Sequence, residues 1–146
     1  MLFRSGSKIR ALVVDDSVVI RRLVSHALSE DPDIEVAGTA ADGSLALARI
    51  PQVNPHVVTL DIEMPNMDGF DLTRNVRADA RTSHMPLVMI TSRTAEKHRR
   101  YAAEIGVNVY LGKPFNEDEL LRTLQQLIGD KAAATASSVA QMLGEA

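Results

Sequence analysis

Five times along this chain a short apolar run rich in β-branched residues is followed by a segment whose apolar residues recur at helical spacing,. That alternation leaves few folds open. Strands linked by crossover helices run parallel and are covered on both faces, so they read as near-continuous apolar runs. The runs here do: the strands expected are about Arg10 to Val14, Ile34 to Thr39, His56 to Leu60, Leu87 to Ile90 and Val107 to Tyr110. The fold class is therefore α/β, a parallel five-stranded sheet with helices on both sides.

The connecting segments carry their own boundary signals. Ile20, Leu23, Val24, Ala27 and Leu28 form one helical stripe, with Ser17 placed to cap its start and Asp31-Pro32 to stop it,. Ala41 to Ser44 turns the chain into a short helix that ends near Pro51. The breaker-rich loop from Asp61 to Gly69 leads into a third helix beginning with Phe70, Leu72 and Val76,. A fourth helix is expected from Thr94 to Ile105, closed by Gly106, which adopts a left-handed conformation without a Cβ penalty,. Asn116 and Glu119 favour the start of a fifth, whose stripe is Leu120, Leu124, Leu127 and Ile128 and whose end is set at Gly129,. The expected division is a lead-in over 1–8, one domain over 9–129 and an Ala/Ser-rich tail or linker over 130–146.

A chain of 146 residues suits one domain and leaves no room for a second catalytic one,. Its net charge of -3 gives no field favouring nucleic acid or an anionic membrane, and no apolar run approaches the ~18 residues of a membrane span,. The absence of cysteine excludes disulfides, thiolate zinc sites and cysteine nucleophiles, and fits a cytoplasmic setting,. His26, His56, His84 and His98 show no paired metal spacing and read as surface or satisfied residues.

The chemistry gathers where strands end. Asp15-Asp16 follows strand one, Asp61 strand three, Thr91 strand four, and Lys113 lies shortly after strand five. Singly, each has an ordinary explanation: a cap, β-propensity, a turn before proline. Together they fall at the carboxyl ends of parallel strands, where an open sheet makes one crevice. Three clustered carboxylates need a cation, and Mg2+ takes oxygen ligands of this kind. An aspartate can also attack phosphorus if cations neutralise the transferring group, a role for Lys113 and the metal. The Thr91 hydroxyl could then donate to a phosphoryl oxygen, an interaction absent before modification. The constellation reads as a phosphorylatable, magnesium-dependent switch.

Leu-Val-Val-Asp15-Asp16-Ser, Leu-Asp61-Ile-Glu-Met-Pro-Asn-Met-Asp-Gly69, Ile-Thr91-Ser and Lys113-Pro114 resemble the receiver domains of bacterial two-component response regulators, over about Ile9 to Gly129. The resemblance implies a flavodoxin-like (βα)5 doubly wound sandwich with strand order 2-1-3-4-5. It implies Asp61 as phosphoacceptor, and Mg2+ (with Mn2+ as a substitute) held by Asp15, Asp16, Asp61 and the main-chain carbonyl of Glu63. Thr91 and Lys113 would contact the phosphoryl group, Thr91 and Tyr110 would form the switch, and the peptide before Pro114 would be cis. Glu63 and Arg93, each two residues beyond a site residue, could meet as a charged gate over the acyl phosphate.

The first half looks most like the receivers of chemotaxis methylesterases; the second is similar to receivers of hybrid kinases or those standing alone. Expected partners are a histidine kinase or histidine phosphotransfer domain, and an output protein or domain on the face of helix four, strand five and helix five. Helix four is expected to carry Arg93, Lys97, His98, Arg99 and Arg100 there. The expected state is a monomer or a phosphorylation-dependent dimer, with no nucleic acid bound, no membrane insertion, and catalysis limited to its own phosphorylation and dephosphorylation. Two alternatives stand beside a stand-alone regulator: an excised receiver of a methylesterase or hybrid kinase, and a haloacid-dehalogenase-like phosphatase. The second would want an aspartate where Glu63 lies.

Overall fold

The computed structural model describes residues 8–142, with side chains over 8–129. Along the chain the elements are β1 (Ile9–Val14), α1 (Val18–Ser29), β2 (Ile34–Ala40), α2 (Gly43–Val53), β3 (Val57–Leu60), α3 (Gly69–Ala78), β4 (Leu87–Thr91), α4 (Glu96–Ile105), β5 (Val109–Gly112) and α5 (Glu117–Met142). The strands form one sheet in the order β2-β1-β3-β4-β5, every neighbouring pair parallel. This is the flavodoxin-like order. The chain steps from β1 outward to β2, then returns past β1 to β3, so the crevice opens at the carboxyl ends of β1 and β3.

Successive strand residues point to opposite faces, and β1 divides its side chains accordingly. Ala11 and Val13 pack with Val24, Leu28, Leu120 and Leu124 on the α1 and α5 side. Leu12 and Val14 pack with Ile50, Leu72, Val76 and Met89 on the other. Both clusters are almost fully buried. Each fully buried Val or Leu contributes roughly 1.5 to 3 kcal/mol, so the sheet is held between two helical layers and the ends of its strands are fixed relative to one another.

Four of the differences from the expected boundaries have a visible cause. The fifth strand starts at Val109 because Val107 N–H donates to the Ala102 carbonyl, closing α4, and Asn108 N–H reaches the Leu87 carbonyl. Helix α2 passes through Pro51 to Val53, since Asn54 takes a left-handed conformation (φ 48°) and its N–H satisfies the Ile50 carbonyl at 2.9 Å. Helix α4 begins at Glu96, which leaves Arg93 in the preceding loop and off the helix.

Gly129 does not end α5, which continues to Met142. An interior glycine costs only about 1 kcal/mol relative to alanine, and the strong helix formers Ala132, Ala133 and Ala134 follow it,. The expected lead-in falls on residues outside those described apart from Lys8, as do residues 143–146 of the expected tail. Among the described residues, no helix is long and apolar enough to cross a membrane.

Candidate functional site

Asp15, Asp16 and Asp61 converge at the carboxyl ends of β1 and β3, each offering a carboxylate oxygen within 4.8 Å of the others. Asp15 and Asp61 are 3% and 5% exposed, whereas Asp16 is exposed. Lys113 reaches in from beyond β5 and places Nζ 2.9 Å from Asp15 Oδ2 and 2.8 Å from Asp61 Oδ2. Burial pushes the Asp15 carboxyl above its usual range, against the opposing pull of Ser17 N–H and Lys113. Burial also works against the charged Lys113, but its hydrogen bonds to Asp61 and Asp15 prevail and raise it. The two directions have different causes: loss of water for Asp15, and two carboxylate partners for Lys113.

Local structure explains how the loops hold these groups. Ser17 caps α1, its hydroxyl accepting from Ile20 N–H at 3.2 Å, and its own N–H donates to Asp15 Oδ1 at 2.9 Å. Ile62 N–H donates to Asp61 Oδ1 at 2.6 Å. The loop after Asp61 folds back so closely that a Cβ on Gly69 would stand 2.0 Å from the Asp61 carbonyl oxygen. Gly69 N–H donates to the Ile62 carbonyl at 2.9 Å, and Asp68 caps α3 through Asp71 N–H. Only glycine permits that return. The loop is tied on its far side by Asn66, which donates to Asp42 Oδ2 at 2.9 Å.

Thr91, fully buried, ends β4, and its hydroxyl accepts from Arg93 N–H at 3.2 Å. The Arg93 guanidinium meets Glu63 Oε2 at 3.1 Å, both side chains about half exposed. The Tyr110 hydroxyl donates to the Arg93 carbonyl, and Arg99 lies 4.8 Å over the Tyr110 ring. Asp15, Asp16, Asp61 and Lys113 thus form one cluster, and Thr91, Glu63 and Tyr110 meet at Arg93. The Lys113–Pro114 peptide is cis.

Sequence reading passed over Arg21, which donates to the Asp15 carbonyl at 2.7 Å; nothing in its spacing marks it. It also passed over the close approach at Gly69, although the run of breakers before α3 is its signal. Of the histidines, His26 pairs with Glu30 at 3.0 Å and His56 Nδ1 accepts from Arg10 N–H at 2.8 Å. His98 departs from expectation: its Nδ1 is buried with no hydrogen-bond partner among the described residues. A cavity of about 510 Å³ opens at the opposite end of the sheet, lined by Ile50, Pro55, Thr82 and Met85 among others, and includes none of the site residues.

The donor set is all carboxylate oxygen with an exposed side, which suits Mg2+ or Mn2+. A parallel sheet in this order, with an acidic crevice and a bridging lysine at its carboxyl edge, fits the class of receiver-type signalling domains. The chain belongs to the response regulator receiver family, whose receiver domain matches residues 11–125. It is a receiver of two-component signalling. It is 45% identical over 121 residues to a protein-glutamate methylesterase/protein-glutamine glutaminase of Nocardioides sp., covering 82% of this chain and 32% of that protein. A Caulobacter vibrioides protein of the same name is 43% identical over 143 residues, covering 96% of this chain and 40% of that one. The chain therefore spans about a third of the length of such relatives, and the likeness runs through its second half as well. Among solved structures, the response regulator domain of Thermotoga maritima CheB superposes with a TM-score of 0.73 at 32% identity, covering 82% of this chain and 95% of that one. A Vibrio cholerae chemotaxis protein gives 0.73 at 37%, covering 82% and 98%.

Proposed function

We propose that this receiver accepts a phosphoryl group on Asp61 from the phosphohistidine of a histidine kinase or histidine phosphotransfer domain. The observation that carries the reading is the single Lys113 ammonium shared by two buried carboxylates beside a third. Mg2+, or Mn2+ in its place, would be held by Asp15, Asp16, Asp61 and the main-chain carbonyl of Glu63. Bound there, the ion supplies positive charge against the phosphoryl oxygens. A carboxylate oxygen of Asp61 forms the new bond to phosphorus as the donor's P–N bond breaks, and the departing imidazole takes up a proton at the vacated nitrogen.

Lys113, already 2.8 Å from Asp61, contacts one phosphoryl oxygen. The Thr91 hydroxyl accepts from Arg93 and so keeps its own proton to donate to another,. Arg93 links this event to Tyr110, whose phenol holds the Arg93 carbonyl. The switch is read on the α4-β5-α5 face, where Lys97, Arg99 and Arg100 are exposed. Glu63 and Arg93 act as the gate to hydrolytic water.

The likeness to methylesterases and to a chemotaxis protein favours a chemotaxis-like pathway, with this chain, placed in the cytoplasm, standing alone or forming the receiver of a methylesterase or hybrid kinase. On this reading residues 9–129 are the receiver, 1–8 a lead-in and 130–146 a tail or linker, and the protein is a monomer or dimerises on phosphorylation. Its catalysis extends only to its own phosphorylation and dephosphorylation.

Intact mass after incubation with acetyl phosphate tests the reading, with and without Mg2+ and with Asp61→Asn as control. One added phosphoryl group that needs both Mg2+ and Asp61 supports it. No gain points to an unphosphorylated interaction domain, and turnover of an external phosphoester to a haloacid-dehalogenase-like phosphatase.

A further inference from the structure

We propose that Arg21 is a positioning residue for the divalent ion: by binding the Asp15 carbonyl it sets the Asp15–Asp16 peptide and so aims the Asp16 carboxylate. The inference rests on the reading of Asp15, Asp16 and Asp61 as the metal site.

The three carboxylates are not held alike. Asp15 is anchored at both oxygens, by Ser17 N–H and by Lys113. Asp61 is anchored at both, by Ile62 N–H and by Lys113. Asp16 is exposed, and among the described residues no hydrogen bond or ion pair holds its carboxylate. The backbone therefore sets the direction in which its side chain leaves the loop, and with it the region the carboxylate can reach. The peptide that joins it to Asp15 is gripped through the carbonyl by Arg21 Nη1 at 2.7 Å, short as a charge-assisted bond should be,. Asp15 N–H is meanwhile tied to the Ala40 carbonyl at 3.1 Å, so the peptides on both sides of Asp15 are held.

The position of Arg21 is otherwise unfavourable. It sits in the opening turn of α1, which contains no acidic residue, and a cation near a helix N-terminus opposes the helix dipole,. Its bond to the loop supplies the reason for an arginine there.

The idea has a sign that charge alone does not. Removing a cation beside an acidic pocket should tighten divalent-ion binding, by Coulomb's law. Losing a positioning contact should weaken it. Groups that orient a metal ligand typically account for about 10-fold or more in affinity.

The test is calorimetric titration of Mg2+ into the unphosphorylated full chain, comparing the parent with Arg21→Met, Arg21→Lys, Asp16→Asn and Lys113→Met. Arg21→Met is expected to bind about 10-fold more weakly and Arg21→Lys, which keeps a donor, within roughly 3-fold of the parent. Lys113→Met shows the opposite sign, that of charge removal. In phosphorylation assays the Mg2+ concentration for half-maximal rate rises with Arg21→Met, while the rate at saturating Mg2+ stays within about 2-fold of the parent. Unchanged or tighter binding by Arg21→Met overturns the inference, and loss by Asp16→Asn in that same case leaves the metal site standing. Absence of binding by the parent removes both. If Arg21→Met does not fold, Arg21→Gln, with a shorter reach, is read by the same rule.

Discussion

Lys113 Nζ donates to Asp61 Oδ2 at 2.8 Å across fifty-two residues of chain, from the loop after β5 to the end of β3. The same nitrogen serves Asp15, and both carboxylates are almost wholly removed from water. Lys113→Met strands two buried charges. Losing one member of a buried pair costs about 3 to 5 kcal/mol, and the lower end is expected here because the crevice opens to solvent beside Asp16. Urea unfolding without divalent ions should show that loss, and saturating Mg2+ should restore part of it.

Gly69→Ala should damage stability and phosphorylation together. The new Cβ would meet main-chain atoms of Asp61 and Ile62 at 2.0 to 3.0 Å, which cannot rotate away as a side chain could. The expected cost is about 3 kcal/mol, the upper part of the range for overpacking. The phosphorylation rate should fall with it because the obstructing atoms belong to the backbone of Asp61, the proposed phosphoacceptor, and of Ile62. A variant that unfolds at the parental urea midpoint would contradict the close approach.

Thr91→Val separates acceptance from switching. The shapes match, but the acceptor for Arg93 N–H is gone, at a cost of about 1 kcal/mol,. Phosphoryl uptake by mass should persist, while the phosphorylation-dependent change in Tyr110 fluorescence or ring resonances should be lost.

Glu63→Ala tests the gate. The pair with Arg93 is half exposed, and such pairs are worth only ~0 to 1 kcal/mol, so dephosphorylation should quicken by no more than about 5-fold,. The difference from the parent should shrink as salt is raised. An unchanged rate at low salt would remove the gate.

Acid stability carries a mark from the turn after α3. The Arg81 guanidinium and N–H hold the Asp79 carboxyl down to about 2. Because the folded value lies below the unfolded one, the stabilisation is complete above the ordinary aspartate range near pH 4 and is lost as pH falls through about 2,. The gap in urea midpoint between the parent and Asp79→Asn should therefore be widest above pH 4 and narrow below it.

Much of this was legible in the residues. Short apolar runs alternating with helical ones foretold five strands, and the identities of Asp15, Asp16, Asp61, Thr91 and Lys113 at or near their ends announced one crevice. Ser17, Gly106 and Asn116 are caps readable from local chemistry, and they sit at the helix ends in the structure. The misread boundaries are those where a distant group decides. Val107 and Asn108 are spent closing α4 and meeting Leu87, which a strand-like run cannot disclose. Gly129 looks like a terminator only while the helix-forming strength of the alanines beyond it is left out.

By itself the sequence determined which segments are strand or helix, which face of each is apolar, and which reactive side chains stand at the strand ends. Those depend on neighbours a few residues away. Only the tertiary structure decided that one ammonium bridges Asp15 and Asp61, that Gly69 passes against the Asp61 carbonyl, and that Arg21 grips the loop carrying Asp16. It alone assigned Arg77 to the carbonyls of Ser83, Met85 and Gly106 and to Asn108, joining α3, α4 and the start of β5. Such contacts depend on ångström distances between segments far apart in the chain, and those distances exist only once the two apolar faces of the sheet have packed and set the strand register.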